Sequence, residues 1–236
     1  MTRTRKQIEQ DAERDRRTLL ATEAAALLAL RRVVRVPTSP VLGRPSQTGA
    51  DAVERFAQRE IYNLRQTSRQ RSIQRVQKAL ARAGVPADAI LPGDGTLTDA
   101  ARAKRAARGM ADHWRRKFDE ALGTGRGASA ERQAARQAAL AVDARVRTTA
   151  ATESASAFGQ ARESLQFVQT AELYKLWDAA LDRRTCPICE SAHGEMVHHS
   201  ARFSYGVPGD VHPNCRCIEE LITVQEWRRV NARSAA

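Results

Sequence analysis

Residues 185–190 read TCPICE and residues 212–217 read HPNCRC. Between them these stretches hold all four cysteines of the 236-residue chain, so their reading decides the fold of its C-terminal third. A Cys-x-x-Cys loop lets two thiolates occupy two corners of one tetrahedron. The second stretch supplies the remaining corners. Cys186, Cys189, His212, Cys215 and Cys217 are therefore five candidate ligands for the four places around a structural Zn2+. Cys-x-Cys can chelate one ion only through a tight turn, so His212 with a single cysteine stands beside the four-cysteine set. A metal here would order a segment that burial alone does not order. Disulfides would need an oxidising compartment. Thioredoxin-like redox chemistry would need the first pair at a helix start within a βαβ unit. Free thiols are the remaining alternative.

Working outward, LYKLWDAA (Leu173–Ala180) predicts a strand before the cysteines, and Arg216–Val224 predicts one after them. Upstream the pattern is helical. Residues 3–34 carry Leu20, Leu27, Leu30 and Val34 at helical intervals. Residues 36–50 hold three prolines and two glycines and read as a linker. A second helix is expected over Asp51–Ala83, with a polar gap at Gln66–Arg71, then a loop over 84–97. Thr98 is placed as the N-cap of a third helix ending near Leu122, with Met110, Trp114, Phe118 and Leu122 as its seam. Ser129 is placed as the cap of a fourth, Ala-rich helix over residues 130–166. The expected class is mainly α, with a small α+β zinc-stapled module at the C-terminal end. The expected divisions are an N-terminal helix (1–35), a linker (36–50), a basic helical region (51–129), the module with its metal site (130–225) and a tail (226–236).

Charge divides the chain in the same way. The formal net charge is +12, yet residues 170–236 hold 8 basic and 9 acidic side chains. The basic excess thus belongs to the N-terminal two thirds, and most of it is arginine, whose planar fork suits phosphate oxygens. Double-stranded DNA, bound without sequence reading, is the expected polyanionic partner. Aromatic residues are only 5% of the chain, which gives no stacking platform for single strands. Much of the 42% hydrophobic content is Ala, which buries little area, so an elongated helical body stabilised by partners is expected. No stretch reaches the roughly 18 apolar residues that span a bilayer, so no membrane partner is expected. Residues 19–30 are broken by Glu23 and closed by Arg31 and Arg32, so no secretion signal is read.

A catalytic zinc keeps one position open for water, whereas four cysteines close the shell. No catalytic residue is assigned, and the chain reads as a non-enzyme. The sharpest enzymatic alternative is a metal-dependent His-Asn-His nuclease built from His198, His199 and Asn214, but no terminal His ligand follows Asn214. His198 and His199 read as exposed loop residues, and His193 and His113 as surface histidines. Glu153 reads as an ion-pair partner of Arg147 or Arg162, or as a cap. Trp177 reads as packing under the metal loop. Arg216, between two candidate ligands, either donates to thiolate sulfur or binds a phosphate.

Several of these elements occur in a familiar order. Thr152-Glu153-Ser154-Ala155-Ser156-Ala157-Phe158 precedes Leu176-Trp177-Asp178, then Cys186-Pro187-Ile188-Cys189, Gly194 and His212-Pro213-Asn214-Cys215-Arg216-Cys217. Over roughly residues 130–225 this resembles the phage head morphogenesis, Mu F-like, family of minor head proteins. The resemblance implies a virion protein inside the head near the portal vertex, with the portal protein and other head proteins as partners. It implies work in head assembly, DNA packaging or DNA delivery, in the free-standing form without a fused protease or toxin. A DNA-binding accessory factor outside the virion is the other non-enzymatic alternative.

Overall fold

The structure is a computed structural model, and it describes residues 3–35, 45–86, 90–91, 93, 96–167 and 172–232. The elements in chain order are α1 (Arg5–Arg35), α2 (Pro45–Arg82), β1 (Ile90–Leu91), α3 (Thr96–Leu122), α4 (Ala128–Ala141) and α5 (Asp143–Glu163). They continue with β2 (Gln166–Phe167), β3 (Leu173–Asp178), α6 (Pro187–Ala192), β4 (Met196–His198), β5 (Ile218–Thr223) and α7 (Val224–Ala232). The protein is mainly helical, with a three-stranded antiparallel sheet of order β4-β3-β5 near its C-terminal end.

The helical body closes around the α3 seam. Met110, Trp114 and Phe118 are fully buried there, with Trp114 stacked on Phe118 at 5.1 Å. Around them lie Leu30 and Val34 of α1, Val53, Ala57 and Ile61 of α2, and Ala134, Ala135, Ala138, Val142 and Val146. Alanine here supplies close helix approach instead of volume. The buried line of α1 runs Ile8, Ala12, Leu19, Ala26, Leu30, Val34, so Leu20 is not part of it; Leu20 is 45% exposed.

Several boundaries differ from those expected. Residues 45–50 were expected as linker and are helical; residues 36–44 of that linker lie outside the described residues. Thr98 falls inside α3, which starts at Thr96, and the N-cap of α4 is Gly127, not Ser129. The single helix expected over 130–166 is divided at Val142. The division puts Asp143 in the first turn of α5, where a carboxylate suits the positive end of the helix dipole. There Asp143 accepts hydrogen bonds from Arg31 at 2.6 Å and Arg147 at 2.8 Å. α5 ends at Glu163, and Gln166–Phe167 leave it to pair with Ile90–Leu91 inside the expected loop.

The polar gap of α2 turns Ser68 and Arg69 inward while Gln70 stays exposed. Arg65, Ser68, Arg69 and Ser72 are buried. Arg65 reaches Asp99 at 2.7 Å and Glu153 at 2.7 Å, and Arg69 reaches Asp99 at 3.1 Å. Arg102 of α3 approaches Glu153 at 3.8 Å and pairs with Asp210 at 2.9 Å. Glu153 therefore pairs with arginines of neighbouring helices, and not with Arg147 or Arg162 of its own. Arg162 turns to Asp15 and Glu220 instead.

The sheet packs against α1, α2 and α5. Ala12 and Leu19 of α1 pack with Ala155 and Phe158 of α5 and with Ile218, while Leu221 on the other face of β5 packs with Val76 and Leu80 of α2. The strands are shorter than expected, Leu173–Asp178 and Ile218–Thr223, and β4 was not foreseen. Val224–Ala232, largely within the expected tail, forms α7. Its Glu226 is fully buried and accepts from the Arg3 backbone N–H at 2.8 Å and from Arg3 Nε at 2.9 Å. The N-terminus is thereby clasped to the end of the module.

Candidate metal centre

Two turns build the site. In the first, Cys186 is the extended N-cap of α6 and Pro187 opens the helix, a position where its missing N–H costs nothing. The Cys189 amide then donates to Cys186 Sγ at 3.4 Å. This is the local geometry by which Cys-x-x-Cys aims two sulfurs at one point. In the second turn, Asn214 takes a left-handed conformation with φ 59°, which asparagine tolerates better than most residues. The Cys215 amide closes the turn onto His212 O at 3.2 Å, and the Asn214 amide ties it to Thr152 Oγ1 of α5 at 3.2 Å. The preceding loop is held against the same helix. A Cβ on Gly159 would sit 2.1 Å from Pro208 O, so only glycine permits that approach.

All five expected ligands are brought together. His212 Nε2 lies 3.1 Å from Cys186 Sγ and 3.1 Å from Cys189 Sγ. Cys189 Sγ lies 3.8 Å from Cys215 Sγ. The ligand atoms form two triads, Cys186–Cys189–His212 and Cys189–Cys215–Cys217, and within each triad all lie within 4.8 Å of one another. Cys189 belongs to both. A tetrahedral zinc with Zn–S bonds of about 2.3 Å has S–S edges of about 3.8 Å, the separation seen between Cys189 and Cys215. His212 Nδ1 lies 2.8 Å from Pro213 O. Donation through that N–H leaves Nε2 with a free lone pair turned to the sulfurs, the tautomer a metal requires.

The electrostatics suit a bound cation. Burial pushes the Cys189 thiol up to about 12. Cys217 is raised by its hydrogen bond with Cys215 and by burial. That same bond holds Cys215 down, to about 5. So many thiolates cannot share one buried pocket unless a positive ion compensates them. Beneath the cluster Trp177 is fully buried, packed with Cys189, Cys215 and Cys217 and edge-on to Phe203 at 5.3 Å, in the place read from the sequence.

Arg216 behaves otherwise than expected. Its guanidinium forms a bidentate pair with Asp182 and donates to no sulfur. The pair holds the Asp182 carboxyl well below its usual range and braces the loop ahead of Cys186. His198 ends β4, exposed, and donates to or accepts from Ser200 Oγ at 2.7 Å. His198, His199 and His193 stand outside both ligand triads. Sequence reading also missed Glu219, the cross-strand neighbour of Trp177. It is fully buried, and neither its carboxylate oxygens nor Trp177 Nε1 has a partner among the described residues. Burial lifts Glu219 to about 7. Its two-residue spacing from Cys217 was the only available signal.

With this geometry in hand, the comparison with known families is direct. Residues 112–219 match the family described as Phage Mu protein F like protein. The match covers just under half of the 236-residue chain. No curated protein and no solved structure matches the chain. The Mu F-like segment starts within α3, ahead of the boundary expected at residue 130, and ends in β5 just past Cys217. It therefore contains both cysteine turns, Trp177 and the Thr152–Phe158 stretch that anchors the second turn. The resemblance read from these motifs, to phage head proteins, is thus shown at the level of the family. Among the described residues no helix is long and apolar enough to cross a membrane.

Proposed function

We propose that this chain is a phage minor head protein that sits at the portal vertex inside the head, contacts packaged DNA without reading its sequence, and acts in head assembly, packaging or delivery. The observation that carries this reading is the family match over residues 112–219. The charge map supports it, since the +12 excess lies outside the C-terminal module and suits a body surrounded by phosphates. In this reading Zn2+ is a structural staple. Cys189 and Cys186 hold it from the first turn, and His212, Cys215 and Cys217 provide the remaining places from the second. When bound, the ion neutralises the crowded thiolates and joins two turns that are otherwise linked through a short sheet. A closed sulfur-rich shell leaves no site for an activated water, so the chain is proposed to have no catalytic activity.

The test is to purify virions and probe them by mass spectrometry, alongside a pull-down of this chain with the portal protein of the same phage. Presence in particles together with portal binding is the expected result. Absence from particles would replace the reading with an accessory factor outside the virion. Plasmid DNA incubated with zinc-loaded protein and added Mg2+ or Mn2+ should remain uncut; cleavage would point to the nuclease.

A further inference from the structure

The ion pairs of this protein are unevenly distributed. Most arginines that reach into the body find carboxylates, but one face of α3 does not. Between residues 101 and 117 the chain has seven basic side chains and one acid, Asp112. Arg102 turns inward to Asp210, Arg115 pairs with Asp112, and Lys117 pairs with Glu120. Lys104, Arg105, Arg108 and Arg116 are exposed, and none forms an ion pair within 4 Å of a carboxylate among the described residues; Arg116 contacts His113 at 3.3 Å and lies near enough to Glu120 to help lower its carboxyl. A fifth cation joins them from another helix. Arg145 of α5 also forms no ion pair with a carboxylate among the described residues, and its Nη2 lies only 3.0 Å from where a Cβ on Gly109 would stand. The guanidinium thus rests against α3 at Gly109, near enough to His113 for its charge to act there. His113 registers the resulting field: burial first, then the charges of Arg116, Lys117 and Arg145, lower its affinity for a proton.

We propose that this face, Lys104, Arg105, Arg108 and Arg116 with Arg145 laid across Gly109, is the phosphate-contacting surface for double-stranded DNA. The inference rests on the DNA-contact reading above and gives it a location. Arg105 and Arg116 are separated by about 16 Å of helix. With extended side chains that reaches phosphates on both sides of a major groove about 12 Å wide. The aromatic residues of α3, Trp114 and Phe118, are buried in the core, so the face offers no ring for base stacking. That favours duplex backbone over single strands. The N-terminal half of the patch lies before residue 112, outside the Mu F-like segment.

The experiment measures binding of the full-length, zinc-loaded chain to a 30-base-pair duplex across a salt series. Three variants are compared: Arg108→Ala/Arg116→Ala/Arg145→Ala, a charge-matched control Arg55→Ala/Arg183→Ala/Arg202→Ala, and Gly109→Ala. Each lost phosphate contact lowers the slope of log affinity against log salt by about 0.9. The first variant should therefore lose about 2 to 3 units of slope and at least about tenfold in affinity, and the control much less. Gly109→Ala keeps every charge, favours the helix and shifts the Arg145 guanidinium by no more than a few tenths of an ångström; it should keep the salt slope of the unaltered chain, and a loss of slope like that of the first variant would contradict the assignment of that loss to the removed charges. Equal losses in test and control variants would overturn the site while leaving general DNA contact standing. A preference for single strands or for an acidic polypeptide would overturn it as well. Failure of the unaltered chain to bind duplex at low salt would remove the underlying DNA reading itself.

Discussion

At the scale of single residues, buried arginines govern this protein more than its net charge does. Arg65 is fully buried and serves Asp99, Glu153 and Gln160 at once. Removing one partner from such a group strands the others without water. Arg65→Met should cost about 3–5 kcal/mol in urea unfolding, against less than about 1 kcal/mol for Arg147→Ala, whose pair with Asp143 is exposed. Asp143 makes a pH prediction. The Arg31 hydrogen bond, aided by Arg147, lowers its carboxyl from the usual 3.8 to about 2. A depressed carboxylate contributes stability above its unfolded value and loses it as pH falls through its folded value. The contribution from Asp143 should hold at pH 5 and disappear between about pH 4 and pH 2. Urea midpoints of the native chain and Asp143→Asn should differ at pH 5 and converge near pH 2. A constant difference across that range would show that the Arg31 pair does not carry it.

At the scale of elements, the sequence revealed what repeats and hid what is paid back across space. The α3 seam was legible because Met110, Trp114 and Phe118 recur at helical spacing and pack in one core. Both cysteine turns, and the packing of Trp177 beneath them, were legible because metal-ligand spacing is local. The buried role of Arg65, beside the polar gap at Gln66–Arg71, was not legible because its partners, Asp99, Glu153 and Gln160, are 34 to 95 residues away. β4 was missed because it has three residues and no alternation of its own; it exists by pairing with Tyr174–Leu176. Arg216 was misassigned because its sequence neighbours are ligands while its partner, Asp182, is 34 residues distant. The clasp adds a consequence. Ile8 and Ala12 are buried although they lie far from the module in sequence, and Arg3 is locked to Glu226. Cys186→Ser should therefore raise hydrogen exchange over residues 173–223 and also over the first half of α1, with α3 and α4 staying protected. Exchange confined to 186–217 would show that the clasp is energetically separate from the metal turns.

At the scale of the whole molecule, the protein is a helical body whose first helix is built into its C-terminal module. The Mu F-like segment alone, 112–219, omits α1, α2 and α7. It thereby lacks Asp15, the partner of Arg162, keeps only Ile218 and Glu219 of β5, and leaves Ile218 without Ala12 and Leu19. Expressed by itself, that segment should be aggregation-prone or molten, and the full chain should melt cooperatively; a cooperative transition of the isolated segment at the same midpoint would contradict this. The measurement that bears most directly on the account is the metal content of the purified full-length chain, by elemental analysis, combined with thermal melting before and after chelation. One zinc per chain, and a large loss of order in residues 173–223 when it is stripped, is the expected result. A metal-free chain that remains fully folded through Cys217 would mean that packing around Trp177, and no ion, holds the two turns together.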